Sequence, residues 1–121
     1  MLRILIIDDS PTEVYKLTAI LEGQGHSVEV ADTGEKGLLM AKADPPDLIL
    51  MDVVMPGLNG FQATRQLNRA PETASVPVVI VSTKDQATDK IWGMRQGASA
   101  YLVKPVKEAE LLAAITEATA S

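Results

Sequence analysis

The sequence predicts an α/β fold, a doubly wound parallel β-sheet flanked by helices, and three observations lead there. Ile4-Leu5-Ile6-Ile7, Leu48-Ile49-Leu50-Met51 and Val78-Val79-Ile80-Val81 are apolar runs without polar alternation. Such runs fit strands covered on both faces. Segments with apolar residues at helical spacing lie between them. The runs also stop abruptly on polar residues, at Asp8-Asp9, Asp52 and Ser82-Thr83. Strands alternating with helices imply right-handed crossovers, and no repeat or linker divides the chain, so one domain is expected over residues 1–121.

Each element follows in order. After the first strand, Ser10-Pro11-Thr12-Glu13 reads as a helix start, with Ser10 as cap, Pro11 at the first helical position and Glu13 completing a capping box. Val14, Leu17 and Leu21 continue at helical spacing, and Gly23 and Gly25 end the helix. Val28 and Val30 alternate with Ser27 and Glu29, as in a short edge strand. Asp32-Thr33-Gly34 reads as a turn. A second helix runs through Leu38, Ala41 and Lys42 until Pro45-Pro46 stop it. The third strand ends at Asp52, and the chain turns at Pro56-Gly57. Asn59 caps a third helix with Phe61, Thr64 and Leu67. The fourth strand begins at Pro77. A fourth helix spans about Gln86 to Gln96 and closes at Gly97. Tyr101-Leu102-Val103 is the fifth strand, ending at Lys104-Pro105, and the fifth helix carries Leu111, Leu112 and Ile115.

Composition removes several function classes. With 121 residues, about two-thirds of the unfolded surface is buried on folding, enough for a real core. There is no cysteine, hence no disulfide framework and no thiolate chemistry. No apolar run approaches a membrane span, and Met1-Leu2-Arg3-Ile4 enters a strand without a signal-peptide pattern, so a cytoplasmic location is expected. A net charge of −5 without a basic tract disfavours nucleic acid as a partner.

In open parallel sheets, ligands bind beyond the carboxyl ends of the strands. Four strands here end on Asp8-Asp9, Asp52, Ser82-Thr83 and Lys104, which the fold brings to one edge. Taken singly, each has a plainer role: a carboxylate after a strand is ordinarily a cap or turn residue, Ser82-Thr83 could cap a helix, and Lys104 could be a solvated loop residue. The set at four separate strand ends points instead to chemistry. Three gathered carboxylates repel until one is protonated or a cation neutralises them. Hard oxygen donors without His or Cys suit Mg²⁺. A carboxylate beside Mg²⁺, a lysine and a hydroxyl is a reasonable nucleophile toward a phosphoryl group.

These residues, with Met55-Pro56-Gly57 and Gly60 after Asp52, resemble the receiver domain of two-component response regulators along the full chain. The resemblance implies the flavodoxin-like strand order 2-1-3-4-5 with five helices. It implies that Asp52 accepts a phosphoryl group from a histidine kinase. It further implies that Asp9 and Asp52 ligate Mg²⁺ directly, that Asp8 helps through water, and that the main-chain carbonyl of Val54 completes the protein ligands. Ser82 and Lys104 would contact the phosphoryl group, Tyr101 would be the aromatic switch residue coupled to Ser82, and Lys104-Pro105 would be a cis peptide. Asp9 to Glu13, Met55 to Arg65 and Thr83 to Gln86 look like the stand-alone receivers of type IV pilus twitching-motility systems, which implies a chemotaxis-like kinase. As nothing follows the fifth helix, output is expected through a downstream protein at the face of helix 4, strand 5 and helix 5, or by draining phosphate from another receiver.

Val54 and Lys84, each two residues beyond a site residue, occupy positions that in the family border the path of the hydrolytic water. Val54 offers that water no side-chain hydrogen bond, so it is not expected to shorten the phosphoryl lifetime. On the fourth helix one of the neighbours Ile91 and Trp92 should pack inward, with Trp92 favoured as a core residue over a partner contact. His26 reads as a solvated turn residue, and Met51 and Met55 as packing. A Mg²⁺-dependent phosphohydrolase is a rival reading, although such enzymes commonly carry a second acid where this chain has Val54. A phosphate-independent binding module is another, opposed by the intact acids and Lys104. Flavin binding is weaker, because the first strand–helix loop is acidic.

Overall fold

In the structure, a computed structural model that describes residues 1–120, five strands and five helices alternate. Ser121, the last residue of the expected domain, lies outside the described residues. The strands are β1 (Arg3–Ile7), β2 (Ser27–Ala31), β3 (Leu48–Met51), β4 (Val78–Ser82) and β5 (Ala100–Val103). The helices are α1 (Pro11–Gly23), α2 (Gly34–Ala43), α3 (Gly60–Arg69), α4 (Ala87–Arg95) and α5 (Glu108–Thr119). All strand pairings are parallel, in the order β2-β1-β3-β4-β5. This is the flavodoxin-like arrangement, and the chain reverses direction across the sheet between β1 and β3.

The apolar runs are explained by the period of two along a strand. Ile4 and Ile6, Leu48 and Leu50, and Val79 and Val81 pack on one side with Leu17 and Leu21 of α1 and Leu111 and Ile115 of α5. Leu5 and Ile7, Ile49 and Met51, and Val78 and Ile80 pack on the other with Leu38 of α2 and Leu67 of α3. Both faces are covered, so both parities are apolar. At the edge, β2 is half polar and leaves Val30 exposed.

Local chemistry departs from the sequence expectations at four places. Ser10 caps α1, its Oγ accepting from the Glu13 amide at 3.4 Å. The reciprocal half of the expected capping box is missing, because the Ser10 amide donates to Asp8 Oδ1 at 2.9 Å instead. The full box occurs at α3, where Asn59 and Gln62 exchange bonds of 2.9 and 3.0 Å. Gly34 is not a turn residue but the first residue of α2. Thr33 is the cap, and a Cβ on Gly34 would meet the Leu58 carbonyl. His26 is half-buried rather than solvated, because its Nδ1 accepts the Leu2 amide at 3.1 Å.

Neither Ile91 nor Trp92 packs inward: they are 54% and 48% exposed. The residue that faces the sheet is Gly93, where a Cβ would sit 2.9 Å from both Ile80 Cδ1 and Tyr101 Cδ2. A helix seated so close by its glycine turns its larger neighbours to its flanks. Met51 and Met55 are buried packing residues, as expected.

Candidate functional site

The carboxyl edge of the sheet gathers the charged residues because the main-chain ladder runs one residue past three strands. The Asp8 amide donates to the Ala31 carbonyl at 3.1 Å, the Asp52 amide to Ile7 at 2.9 Å and the Lys104 amide to Ser82 at 2.8 Å. Ile7 and Met51 are register partners, so Asp8 and Asp52 follow them side by side on adjacent strands. Neighbouring parallel strands are about 4.8 Å apart, which forces two carboxylates together.

Asp8, Asp9 and Asp52 each present a carboxylate oxygen, all within 4.8 Å of one another. Asp8 and Asp52 are buried and Asp9 is exposed. Lys104 Nζ lies 2.9 Å from Asp8 Oδ2 and 3.4 Å from Asp52 Oδ1. Asp8 is therefore bound at both oxygens, by the Ser10 amide and by Lys104. Asp52 meets Lys104 through Oδ1.

Burial is the main reason that the Asp52 carboxyl is pushed up to about 6, and the charge of Asp8 adds to it. Lys104 opposes both without cancelling them. For Lys104 itself, burial works to lower the pKa, but its hydrogen bond to Asp8 and the charges of Asp52 and Asp8 prevail and raise it. The cluster thus has one cation for three carboxylates. Its oxygen-only donors and residual negative charge fit a hard divalent cation such as Mg²⁺.

Ser82 ends β4 and is fully buried, its Oγ accepting the Lys84 amide at 3.2 Å. Tyr101, the register partner of Ile80, donates its hydroxyl to the Lys84 carbonyl at 2.8 Å. Burial raises the Tyr101 pKa, and the nearby Ser82 hydroxyl works against that shift. The loop of Lys84 thus connects the Ser82 and Tyr101 side chains through its main chain. The Val54 side chain is exposed beside the cluster. The Lys104-Pro105 peptide is cis.

Two glycines contribute in ways the sequence did not reveal: Gly60 entered only as part of the motif after Asp52, and Gly93 not at all. Gly60 opens α3 directly against the strand end, and a Cβ there would collide with the Asp52 carbonyl oxygen. Its amide donates to Val53 O at 3.0 Å, which fixes the loop that follows Asp52. Gly93 does the equivalent for Tyr101. A glycine inside a helical pattern is the signal that could have marked Gly93.

A family model described as "Response regulator receiver domain" matches residues 4–116. Over 115 residues the chain is 63% identical to Protein PilH of Pseudomonas aeruginosa, and the match covers 95% of both. Among solved structures it is similar to the chemotaxis protein CheY4 of Vibrio cholerae, with a TM-score of 0.90, 28% identity and 98% of both chains covered. It is also similar to the receiver domain of a sensor histidine kinase from Pseudomonas aeruginosa, with a TM-score of 0.91, 28% identity, and 99% of this chain and 98% of that one covered. That receiver was crystallised with a magnesium ion coordinated in its active site cleft.

Proposed function

Since the chain belongs to the response regulator receiver domain family, we propose that Asp52 is a phosphoacceptor that receives its phosphoryl group from a histidine kinase. The observation that carries this reading is the position of Asp52, buried at a strand end against Lys104 and beside two further carboxylates. The receiver unit is proposed to span residues 1–121 and to act in the cytoplasm. No helix of the described residues is long and apolar enough to cross a membrane.

An Asp52 carboxylate oxygen attacks the phosphorus of a phosphohistidine. The P–N bond breaks, its electron pair stays on the imidazole, and an acyl phosphate forms. Lys104 screens the approach of the two anions and pairs with the phosphoryl oxygens as charge develops on them. The Ser82 hydroxyl donates to another of those oxygens. Asp9, Asp52 and the Val54 carbonyl would hold Mg²⁺ directly, with Asp8 oriented through water. The ion, when bound, neutralises the carboxylates and the transferring phosphoryl group.

Phosphorylation shifts the population of two conformations, with Ser82 and Tyr101 as the moving parts. The chain regulates rather than metabolises, assisting only its own phosphorylation and dephosphorylation. A downstream protein reads the state at the face of α4, β5 and α5, where Met94 is exposed. The 63% identity to PilH supports a chemotaxis-like pathway controlling type IV pilus twitching motility.

The test is intact-mass analysis after incubation with acetyl phosphate and then with a phosphorylated histidine kinase, with and without Mg²⁺. A Mg²⁺-dependent phosphoryl adduct lost in Asp52→Asn is expected. An adduct that persists in Asp52→Asn, or absence of both adduct and Mg²⁺ binding, overturns the reading.

A further inference from the structure

Between α3 and α4 lies a groove of about 320 Å³, lined by Asn59, Phe61, Gln62, Arg65, Trp92 and Gln96. This volume is at the lower limit for a ligand pocket and suits one bulky side chain. Asn59 and Phe61 also line the hollow formed by Val54, Met55 and Lys84, so the groove leads from the flank of the molecule toward Asp52. Successive residues of a helix are about 100° apart. Because Gly93 faces the sheet, Trp92 projects to the α3 flank and Met94 to the opposite one. The groove is therefore separate from the face of α4, β5 and α5.

Charge is unevenly distributed around it. The chain carries −5, yet residues 59–96 hold five Lys or Arg against three Asp or Glu. Five cations elsewhere or at the site are ion-paired: Arg3, Lys16, Lys36, Lys84 and Lys104. Of the six without a carboxylate partner among the described residues, four are Arg65, Arg69, Lys90 and Arg95, all on α3 or α4. Arg65 and Arg69 share a face of α3 at helical spacing, and Arg95 follows Trp92 by three residues on α4. A half-exposed tryptophan in a groove lined by the Arg65 guanidinium, with Arg69 and Arg95 further along the same two helices, complements apolar and carboxylate groups together. Aromatic and Arg side chains are also the groups that dominate protein interfaces.

We propose that the α3–α4 groove is a docking site for an acidic segment of a partner protein, which inserts one bulky apolar side chain beside Trp92 and sets its carboxylates against Arg65 and its neighbours. The net charge of the molecule opposes a polyanion as long as a nucleic acid. The proposal does not depend on phosphorylation at Asp52.

A random dodecapeptide library displayed on phage is selected against the full chain without phosphodonor or Mg²⁺, and the enriched peptides are synthesised. Trp92 is the only tryptophan, so its emission reports occupancy directly. Expected are peptides with Asp or Glu around one aromatic or large aliphatic residue, which shift that emission and weaken as salt rises. Arg65→Glu should reduce their affinity about tenfold, while Lys107→Glu, the same charge change before α5, leaves it within about twofold. Arg65→Gln, with an intermediate loss, guards against a folding defect, and thermal melts of all variants check it. No enrichment, peptides without acidic residues, binding indifferent to Arg65→Glu, tighter binding of an oligonucleotide, or occupation of the groove by a second copy of the chain would each overturn the proposal. A failed phosphorylation assay leaves these readouts untouched.

Discussion

Lys104 Nζ bridges Asp8 and Asp52 at 2.9 and 3.4 Å, so a single buried ammonium group holds two carboxylates from adjacent strands. The three side chains come from positions separated by 44 and 52 residues, and only the sheet brings them together.

Removing that ammonium leaves the carboxylates facing each other. Lys104→Ala should lose up to about 3 kcal/mol at pH 7.5, near the lower end of the cost of breaking a buried pair, since the carboxylates can relax by taking up a proton. The raised Lys104 pKa means that its contribution is complete below the unfolded value and fades only at alkaline pH as the folded pKa is passed. Lys104 is thus charged at both pH 5 and pH 7.5, and urea unfolding at the two should show the smaller loss at pH 5 only because Asp52 is largely protonated there.

Asp52 shifts stability in the same direction but in an acidic window. Its folded pKa is about 6, above the usual carboxylate value, so the folded state holds a proton that the unfolded state has released. Stability is therefore greatest below the unfolded pKa and falls as pH rises from about 4 through 6, by up to about 3 kcal/mol. Asp52→Asn should be more stable than the parent at pH 7.5 without Mg²⁺, and the two should converge near pH 4.5. Paired thermal melts decide it; a gap independent of pH would contradict the burial of charge at this position.

Gly93→Ala sets two effects against each other. Alanine gains about 1 kcal/mol of helix propensity. Its Cβ would press on Ile80 Cδ1 and the Tyr101 ring at 2.9 Å, and overpacking costs about 1–3 kcal/mol. A net loss of about 1 kcal/mol is expected. Combining it with Ile80→Val, which deletes the obstructing Cδ1, should recover at least about 0.5 kcal/mol of that loss in a double-mutant cycle. Additive effects would mean that α4 shifts bodily instead.

Val54→Asn places an amide at an exposed position beside Asp52. With a hydrogen-bonding side chain supplied to the attacking water, loss of the phosphoryl group should quicken several-fold, a change of about 1 kcal/mol in barrier. The intact mass of phosphorylated protein followed over time measures it, and an unchanged rate would remove Val54 as a determinant of lifetime.

Much of the fold was legible because its signals are local. A strand covered on both faces has to be apolar at both parities, and β1, β3 and β4 are. Caps and stops are equally local: Ser10 and Pro11 open α1, Asn59 opens α3, and Gly97, with a φ of 106°, follows α4. The convergence of Asp8, Asp9, Asp52 and Lys104 was legible for the same reason, since parallel strands necessarily end on one edge.

What only the tertiary structure decided was orientation and partner choice. Asp8 takes the Ser10 amide and so displaces Glu13 from the capping box, because the buried Asp8 carboxylate needs the donor more than Glu13, which is half-buried and lies 3.8 Å from Lys16 Nζ. His26 is drawn into a bond with Leu2 by the pairing of β1 with β2. Trp92 was expected inside, as its size and apolarity suggest. The rotation of α4 is governed instead by Gly93, whose missing Cβ allows the helix backbone to approach Ile80 and Tyr101. Sequence by itself determined which segments form strands and helices and which charged residues meet, through the periods of the backbone and the polarity of strand ends. Which way a helix turns depends on how closely it can seat on residues distant in sequence, and that distance exists only once the sheet has formed.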